Sequence, residues 1–137
     1  MSEAYQKLLV KDLMTPDVIT VSCTDNLRKA MDTMREHKVK CLVVDKRSET
    51  DAWGMLTYTD ILKTIARTEG DVGLLNVYDL ATKPALTIPA GMEVRLAARM
   101  MLNFEVKRLV VTGDNDAIIG ILTMHDVVGA IIEKIDS

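Results

Sequence analysis

The chain has 137 residues, 48% hydrophobic and 27% charged, with a formal net charge of −3, which fits one domain or two very small ones with enough apolar mass for a core. A pI near 5.4 argues against non-specific nucleic-acid binding, which needs a basic face. No apolar run reaches the length of a membrane span, and Met1 to Lys7 lacks a signal peptide's apolar stretch, so the expected compartment is cytoplasmic.

Residues 5–14 read as a leader helix or turn feeding Thr15-Pro16, where proline favours extended backbone before it. Val18-Ile19-Thr20-Val21 is a short β-branched strand. Thr24 or Asp25 can cap a helix whose apolar residues, Leu27, Ala30, Met31 and Met34, have the spacing of one buried face. That helix ends near His37-Lys38. Cys41-Leu42-Val43-Val44 is a buried strand, Asp45 to Asp51 a polar hairpin-like loop, and Trp53 to Thr57 the return strand. Asp60 then opens a second helix with Ile61, Leu62 and Ile65 inward. The order is β-α-β-β-α.

The order recurs. At an offset of 67, Asp12-Leu13, Thr15 and Thr20 match Asp79-Leu80, Thr82 and Thr87. Arg28, Ala30 and Met34 match Arg95, Ala97 and Met101, and Leu42-Val43-Val44 match Leu109-Val110-Val111. One residue is lost in the loop, so Gly54, Leu56, Thr57, Asp60 and Ile65 match Gly120, Leu122, Thr123, Asp126 and Ile131 at an offset of 66. The copies are residues 1–68 with the leader and 77–137, joined by a linker at 69–76. A repeat of about 60 residues is marginal alone because it buries too small a share of its surface. The expected fold is therefore α/β (α+β), with the two β-α-β-β-α repeats packed face to face as a pseudo-twofold pair that shares a core.

Each copy carries Gly-x-x-Thr-x-x-Asp where a strand end runs into a helix: Gly54 to Asp60 and Gly120 to Asp126. Thr and Asp three apart at such a turn can cap free backbone N–H groups or bond a ligand's hydroxyls. One copy reads as a cap. Two copies at matching positions point to a paired site.

The strings Asp-Leu-Met-Thr-Pro, Ile-Thr-Val, Val-Lys-Cys-Leu-Val-Val-Asp and Gly-Met-Leu-Thr-Tyr-Thr-Asp-Ile, with their second copies, resemble a pair of cystathionine-β-synthase (CBS) domains, or Bateman module, over nearly the whole chain. The resemblance implies repeats packed through their sheets, and a regulatory module that binds AMP, ADP, ATP, S-adenosylmethionine or reduced NAD between them and signals occupancy to a partner protein. It implies ribose on Asp60 with Thr57 and on Asp126 with Thr123. It implies adenine against Ile19, Val39 and Cys41 in one copy and Leu86, Val106 and Arg108 in the other. Phosphate then falls to Lys107-Arg108, with Lys40-Cys41 a half match, so the two sites are expected to be unequal. The cleft combining Asp60 with Leu86, Val106 and Arg108 is expected to be the stronger for phosphorylated ligands. The chemistry is sound in itself: a carboxylate accepts two bonds from a vicinal diol, a purine needs an apolar slot, and phosphate favours an Arg fork.

Plainer readings compete. His125 can touch a phosphate or sit exposed in a first helical turn. The methionines at 31, 34, 100 and 101 fill gaps in a core or a dimer interface. Cys41 in an apolar run reads as a small buried hydrophobe. No GxSxG, Walker loop, HExxH or Cys–His pairing signals an enzyme, and no metal or required cofactor is expected. A degenerate pair that only dimerises is the main alternative, and an enzyme or a nucleic-acid binder is a lesser one. Apolar helix positions such as Met100-Met101 and Ile131-Ile132-Ile135 lead to an expected homodimer.

Overall fold

The computed structural model describes residues 8–136; residues 5–7 of the expected leader lie outside the described residues. The elements are α1 (Val10–Leu13), β1 (Thr20–Val21), α2 (Leu27–His37), β2 (Cys41–Val44), β3 (Gly54–Thr57), α3 (Tyr58–Arg67), a 3-10 turn (Val72–Leu74), α4 (Val77–Leu80), β4 (Thr87–Pro89), α5 (Val94–Phe104), β5 (Arg108–Thr112), a second 3-10 turn (Asp114–Asp116), β6 (Ile118–Thr123) and α6 (Met124–Asp136). They form two three-stranded sheets, ordered β1-β2-β3 and β4-β5-β6. In each, the first two strands are parallel, joined across a helix, and the last two are an antiparallel hairpin. This is the twofold β-α-β-β-α pattern read from the repeat.

The chain divides into two compact units, Ile19–Ala85 and residues 8–18 with 86–136. Their boundaries differ from those of the sequence copies. In the first unit, Leu27 N–H donates to Leu75 O at 2.7 Å, Val77 N–H to Asp25 O at 2.8 Å, and Thr82 and Met55 exchange both backbone bonds at 2.9 Å. In the second, Val10 N–H donates to Met92 O at 2.8 Å, Val94 N–H to Leu8 O at 2.9 Å, and Thr15 and Ile121 exchange bonds at 2.8 and 2.9 Å. Each sheet thus receives the lead-in segment that precedes the other copy in the sequence. Apolar pairing fixes this arrangement, since Val10 and Val77 are fully buried in the respective cores.

The core of the first unit gathers Leu27, Ala30 and Met34 from α2, Leu42, Val44 and Leu56 from the sheet, Ile61, and Val77. The cap of α2 is neither Thr24 nor Asp25 but Asn26, whose side chain accepts Lys29 N–H at 2.8 Å. Asp25 is drawn one turn back, accepting Ser22 N–H at 3.1 Å. The helix closes at Lys38 in the left-handed region (φ 57°), with its N–H bonding back to the last carbonyls. The inward face expected for α3 is corrected: Ile61 is buried, but Leu62 is 66% and Ile65 52% exposed. The sheet face is already covered by α2 and Val77, so the remaining apolar residues of α3 line an outer groove with Met31, Met34 and Tyr58.

The second unit's core repeats the pattern with Val94, Ala97 and Met101 of α5 against Ile88, Leu109, Val111 and Leu122, closed by Val10 and Val127. Two glycines make the lead-in segments possible. A Cβ at Gly120 meets Met14 Sδ at 2.7 Å and Thr15 O at 3.0 Å; one at Gly54 meets Thr82 O and Val44 Cβ at 3.2 Å. Each motif glycine is thus the spot where a second backbone lies against the sheet.

Candidate functional site

Both Thr-x-x-Asp turns form where the last strand of a sheet ends and a helix begins, and both are helix caps. They are not the same cap. At the first, Asp60 N–H donates to Thr57 Oγ1 at 3.3 Å, while Asp60 Oδ2 accepts both Thr57 N–H at 2.9 Å and the Thr57 hydroxyl at 3.0 Å. That is a closed capping box. At the second, Asp126 N–H donates to Thr123 Oγ1 at 3.0 Å. Asp126 Oδ2, however, is buried with no hydrogen-bond partner among the described residues. A buried acceptor left unpaired costs about 1–3 kcal/mol, so the second turn retains an acceptor that its own fold does not satisfy.

Strand register assigns each turn its basic step. In the first unit Cys41 stands opposite Thr57 on the β2–β3 ladder, and Lys40 O accepts Tyr58 N–H at 3.3 Å. In the second, Arg108 stands opposite Thr123, and Lys107 O accepts Met124 N–H at 2.8 Å. The half match Lys40-Cys41 therefore lies across the ladder from the Thr57 turn, and the full step Lys107-Arg108 across from the Thr123 turn. Lys40 and Lys107 are exposed, Cys41 and Arg108 half-buried.

The apolar candidates sort the same way. Ile19 and Val39 are half-buried against the first core, and Ile19 O accepts Val43 N–H at 3.0 Å. Leu86 and Val106 are half-buried against the second, and Leu86 O accepts Val110 N–H at 3.0 Å. His125 is exposed in the first turn of α6. Cys41 is only half-buried, because it opens its strand rather than lying within it, and neither Cys23 nor Cys41 is in a disulfide.

Sequence reasoning missed two features. The lead-in threonines Thr15 and Thr82 pair with Ile121 and Met55, just upstream of the two turns; they were legible only as repeat matches. A cavity of about 340 Å³ also opens at Asp60, with Lys63, Thr64 and Arg67 of α3 along one wall. The signal for these was their spacing of three, four and seven residues from Asp60.

The CBS domain family model matches residues 10–67 and 77–133, and the chain belongs to that family. Such pairs are, as a class, regulatory and ligand-binding rather than catalytic. The CBS domain-containing protein YhcV of Bacillus subtilis is 30% identical over 118 residues, covering 85% of this chain and 81% of that protein. An uncharacterized protein of Methanopyrus kandleri, MK0525, is 28% identical over 86% of this chain and 60% of its own length. Among solved structures, a hexameric CBS-CP12 protein from bloom-forming cyanobacteria superposes with a TM-score of 0.83 at 27% identity, over 89% of this chain and 71% of that one. The CBS domain of a bacterial CNNM/CorC family Mg2+ transporter in complex with ATP shares the fold, with a TM-score of 0.79 at 21% identity over 96% of this chain and 92% of that one. The chain spans 60% of the first curated relative it matches and 23% of the second, a homoserine O-acetyltransferase of Methanocorpusculum labreanum. No helix among the described residues is long and apolar enough to cross a membrane.

Proposed function

We propose that the chain is a regulatory module that binds an adenine nucleotide and passes occupancy to a partner protein. The observation that carries this reading is the Asp126 carboxylate, whose Oδ2 is buried with no hydrogen-bond partner among the described residues, in the turn whose Thr123 pairs with Arg108 across the β5–β6 ladder. A ribose hydroxyl supplies the missing donor, and a phosphate supplies a counter-charge for the half-buried guanidinium. The ATP complex of the transporter CBS domain supports the ligand class.

Beside the expected cleft of Asp60 with Leu86, Val106 and Arg108, which draws on both repeats, this reading gives Arg108 to the turn of its own unit, since Arg108 pairs with Thr123 across the β5–β6 ladder. The phosphorylated ligand is therefore assigned first to the Thr123–Asp126 turn. The Asp60 turn, whose Oδ2 is already engaged by Thr57, is the weaker ribose clamp.

A homodimer is part of the proposal. Tyr58, Leu62 and Ile65 are more than half exposed and line an apolar groove of about 420 Å³ with Met31 and Met34, a surface suited to a second copy. The hexameric neighbour supports association in general. The test is a thermal-shift screen of AMP, ADP, ATP, adenosine, S-adenosylmethionine, reduced NAD and GTP. Stabilisation by adenine compounds but not by GTP supports the reading; no stabilisation by any of them leaves the module that only dimerises.

A further inference from the structure

Each unit carries a lead-in segment along the outer edge of its last strand: residues 8–18 on β6 and residues 76–85 on β3. The two are held alike at their start. Val10 N–H donates to Met92 O at 2.8 Å and Lys11 N–H to Ala90 O at 2.9 Å; Val77 N–H donates to Asp25 O at 2.8 Å and Tyr78 N–H to Cys23 O at 3.0 Å. Val10 and Val77 are both fully buried, and Thr15 and Thr82 each exchange two backbone bonds with the strand. Half-buried apolar residues flank both valines, Leu8, Leu13 and Met14 in one segment and Leu80 and Ala81 in the other. What separates the segments is the fastening after the threonine. Beyond Thr82, Lys83 Nζ donates to Asp51 Oδ2 at 2.6 Å, with both side chains mostly buried, and the N–H of buried Ala85 donates to Trp53 O at 2.7 Å. Beyond Thr15, the repeat puts Pro16 and Asp17 at the positions of Lys83 and Pro84. Both are exposed, and Pro16 has neither an N–H nor a charge to offer. Among the described residues, no side chain of 8–18 makes a hydrogen bond or ion pair with the rest of its unit.

The chain connection adds to this difference. Residues 76–85 are continuous in sequence with their unit, Ile19–Ala85, whereas residues 8–18 are separated from the rest of theirs by that whole unit. Only non-covalent contacts keep them in place. We propose that residues 8–18 are a detachable strap and that residues 76–85 are its pinned counterpart. The exposed Pro16-Asp17 step is the hinge. Release frees the N–H and the carbonyl of Ile121, two residues before Thr123, and opens the edge of β6 while the β4-β5-β6 sheet itself stays folded. Opening requires no ligand, so it is independent of the nucleotide reading.

The test is amide hydrogen exchange on the whole chain without ligand, followed residue by residue by NMR and corrected for intrinsic rates. Val10, Lys11 and Thr15 are expected to exchange about tenfold or more faster than Val77, Tyr78, Thr82 and Ala85, while Val110 in β5 stays protected. In Lys83→Gln, the Thr82 and Ala85 amides should speed up about ten- to a hundredfold, the effect of losing a charge-assisted bond, with residues 8–18 unchanged. Asp51→Asn removes the same pair from the other side and should act alike. Equal protection of the two segments in the parent overturns the proposal, as does exchange of Val10 and Thr15 only together with Val110. Unchanged Thr82 and Ala85 rates in both variants overturn it too, since Lys83 and Asp51 are then no pin.

Discussion

Arg108 stands directly across the β5–β6 ladder from Thr123, the residue whose hydroxyl accepts the backbone N–H of Asp126 at 3.0 Å. This hairpin and the helix turn that follows it thus carry a cation, a capping hydroxyl and a carboxylate oxygen that is buried with no partner among the described residues. The matching hairpin puts Cys41 across from Thr57, so the two turns differ in charge although their motif is the same. We predict that Arg108→Ala weakens AMP and ATP binding about ten- to a hundredfold and spares adenosine. Calorimetry with the three ligands checks this; equal weakening of adenosine means the side chain acts by packing.

The motif glycines have a different role from the motif aspartates. Alanine at Gly120 pushes a methyl group to 2.7 Å from Met14 Sδ and 3.0 Å from Thr15 O, against 3.2 Å at Gly54. We predict that Gly120→Ala costs about 1–3 kcal/mol and more than Gly54→Ala. Adding Met14→Ala should restore part of the loss, since one of the two clashes is then removed. Urea denaturation of the three variants measures the order, and a Gly120→Ala protein as stable as its parent contradicts the close approach.

Asp51 accepts the Lys83 ammonium at 2.6 Å and Arg47 N–H at 2.8 Å. The Lys83 bond, then the backbone N–H groups of Arg47 and Ala52, hold its carboxyl well below the ordinary carboxylate range. A carboxyl whose folded pKa is depressed stabilises the fold above its ordinary value near 3.8, and the contribution is lost as pH falls below that toward the folded value. We predict that Asp51→Asn melts lower than the parent at pH 7 and that the gap narrows below about pH 4. A gap that widens with acidification reverses the sign of the argument.

The groove beside α3 gives a prediction about assembly. Leu62 is 66% exposed and Tyr58 54%, so a charge placed there leaves the unit's own core untouched. We predict a dimer at micromolar concentration for the parent and a monomer for Leu62→Lys, read by sedimentation velocity. A monomeric parent, with and without nucleotide, removes the dimer from the proposal.

Much of this was readable from residues alone. The internal repeat located both sheets because Leu42-Val43-Val44 and Leu109-Val110-Val111 are short apolar strands with matching neighbours, and the Thr-x-x-Asp turns fell at the strand-to-helix junctions as expected. What stayed hidden depended on pairing between distant segments. Nothing local in Val10 or Val77 says which sheet each one joins; backbone exchange at Thr15–Ile121 and Thr82–Met55 decides it. The wrong face for Leu62 and Ile65 has a similar origin, since periodicity marks an apolar stripe but not whether another helix already covers the sheet. The difference between the two aspartates was equally invisible, because identical motifs close differently: Asp60 folds back on Thr57 N–H while Asp126 does not.

The central claim is that Asp126 supplies the principal ribose clamp of an adenine-nucleotide site. Calorimetric titration of AMP against the parent, Asp126→Ala and Asp60→Ala, each first shown to be folded by circular dichroism, tests it most directly. The account predicts a roughly ten- to hundredfold loss for Asp126→Ala and a smaller loss for Asp60→Ala. AMP binding by Asp126→Ala with the parent's affinity contradicts it.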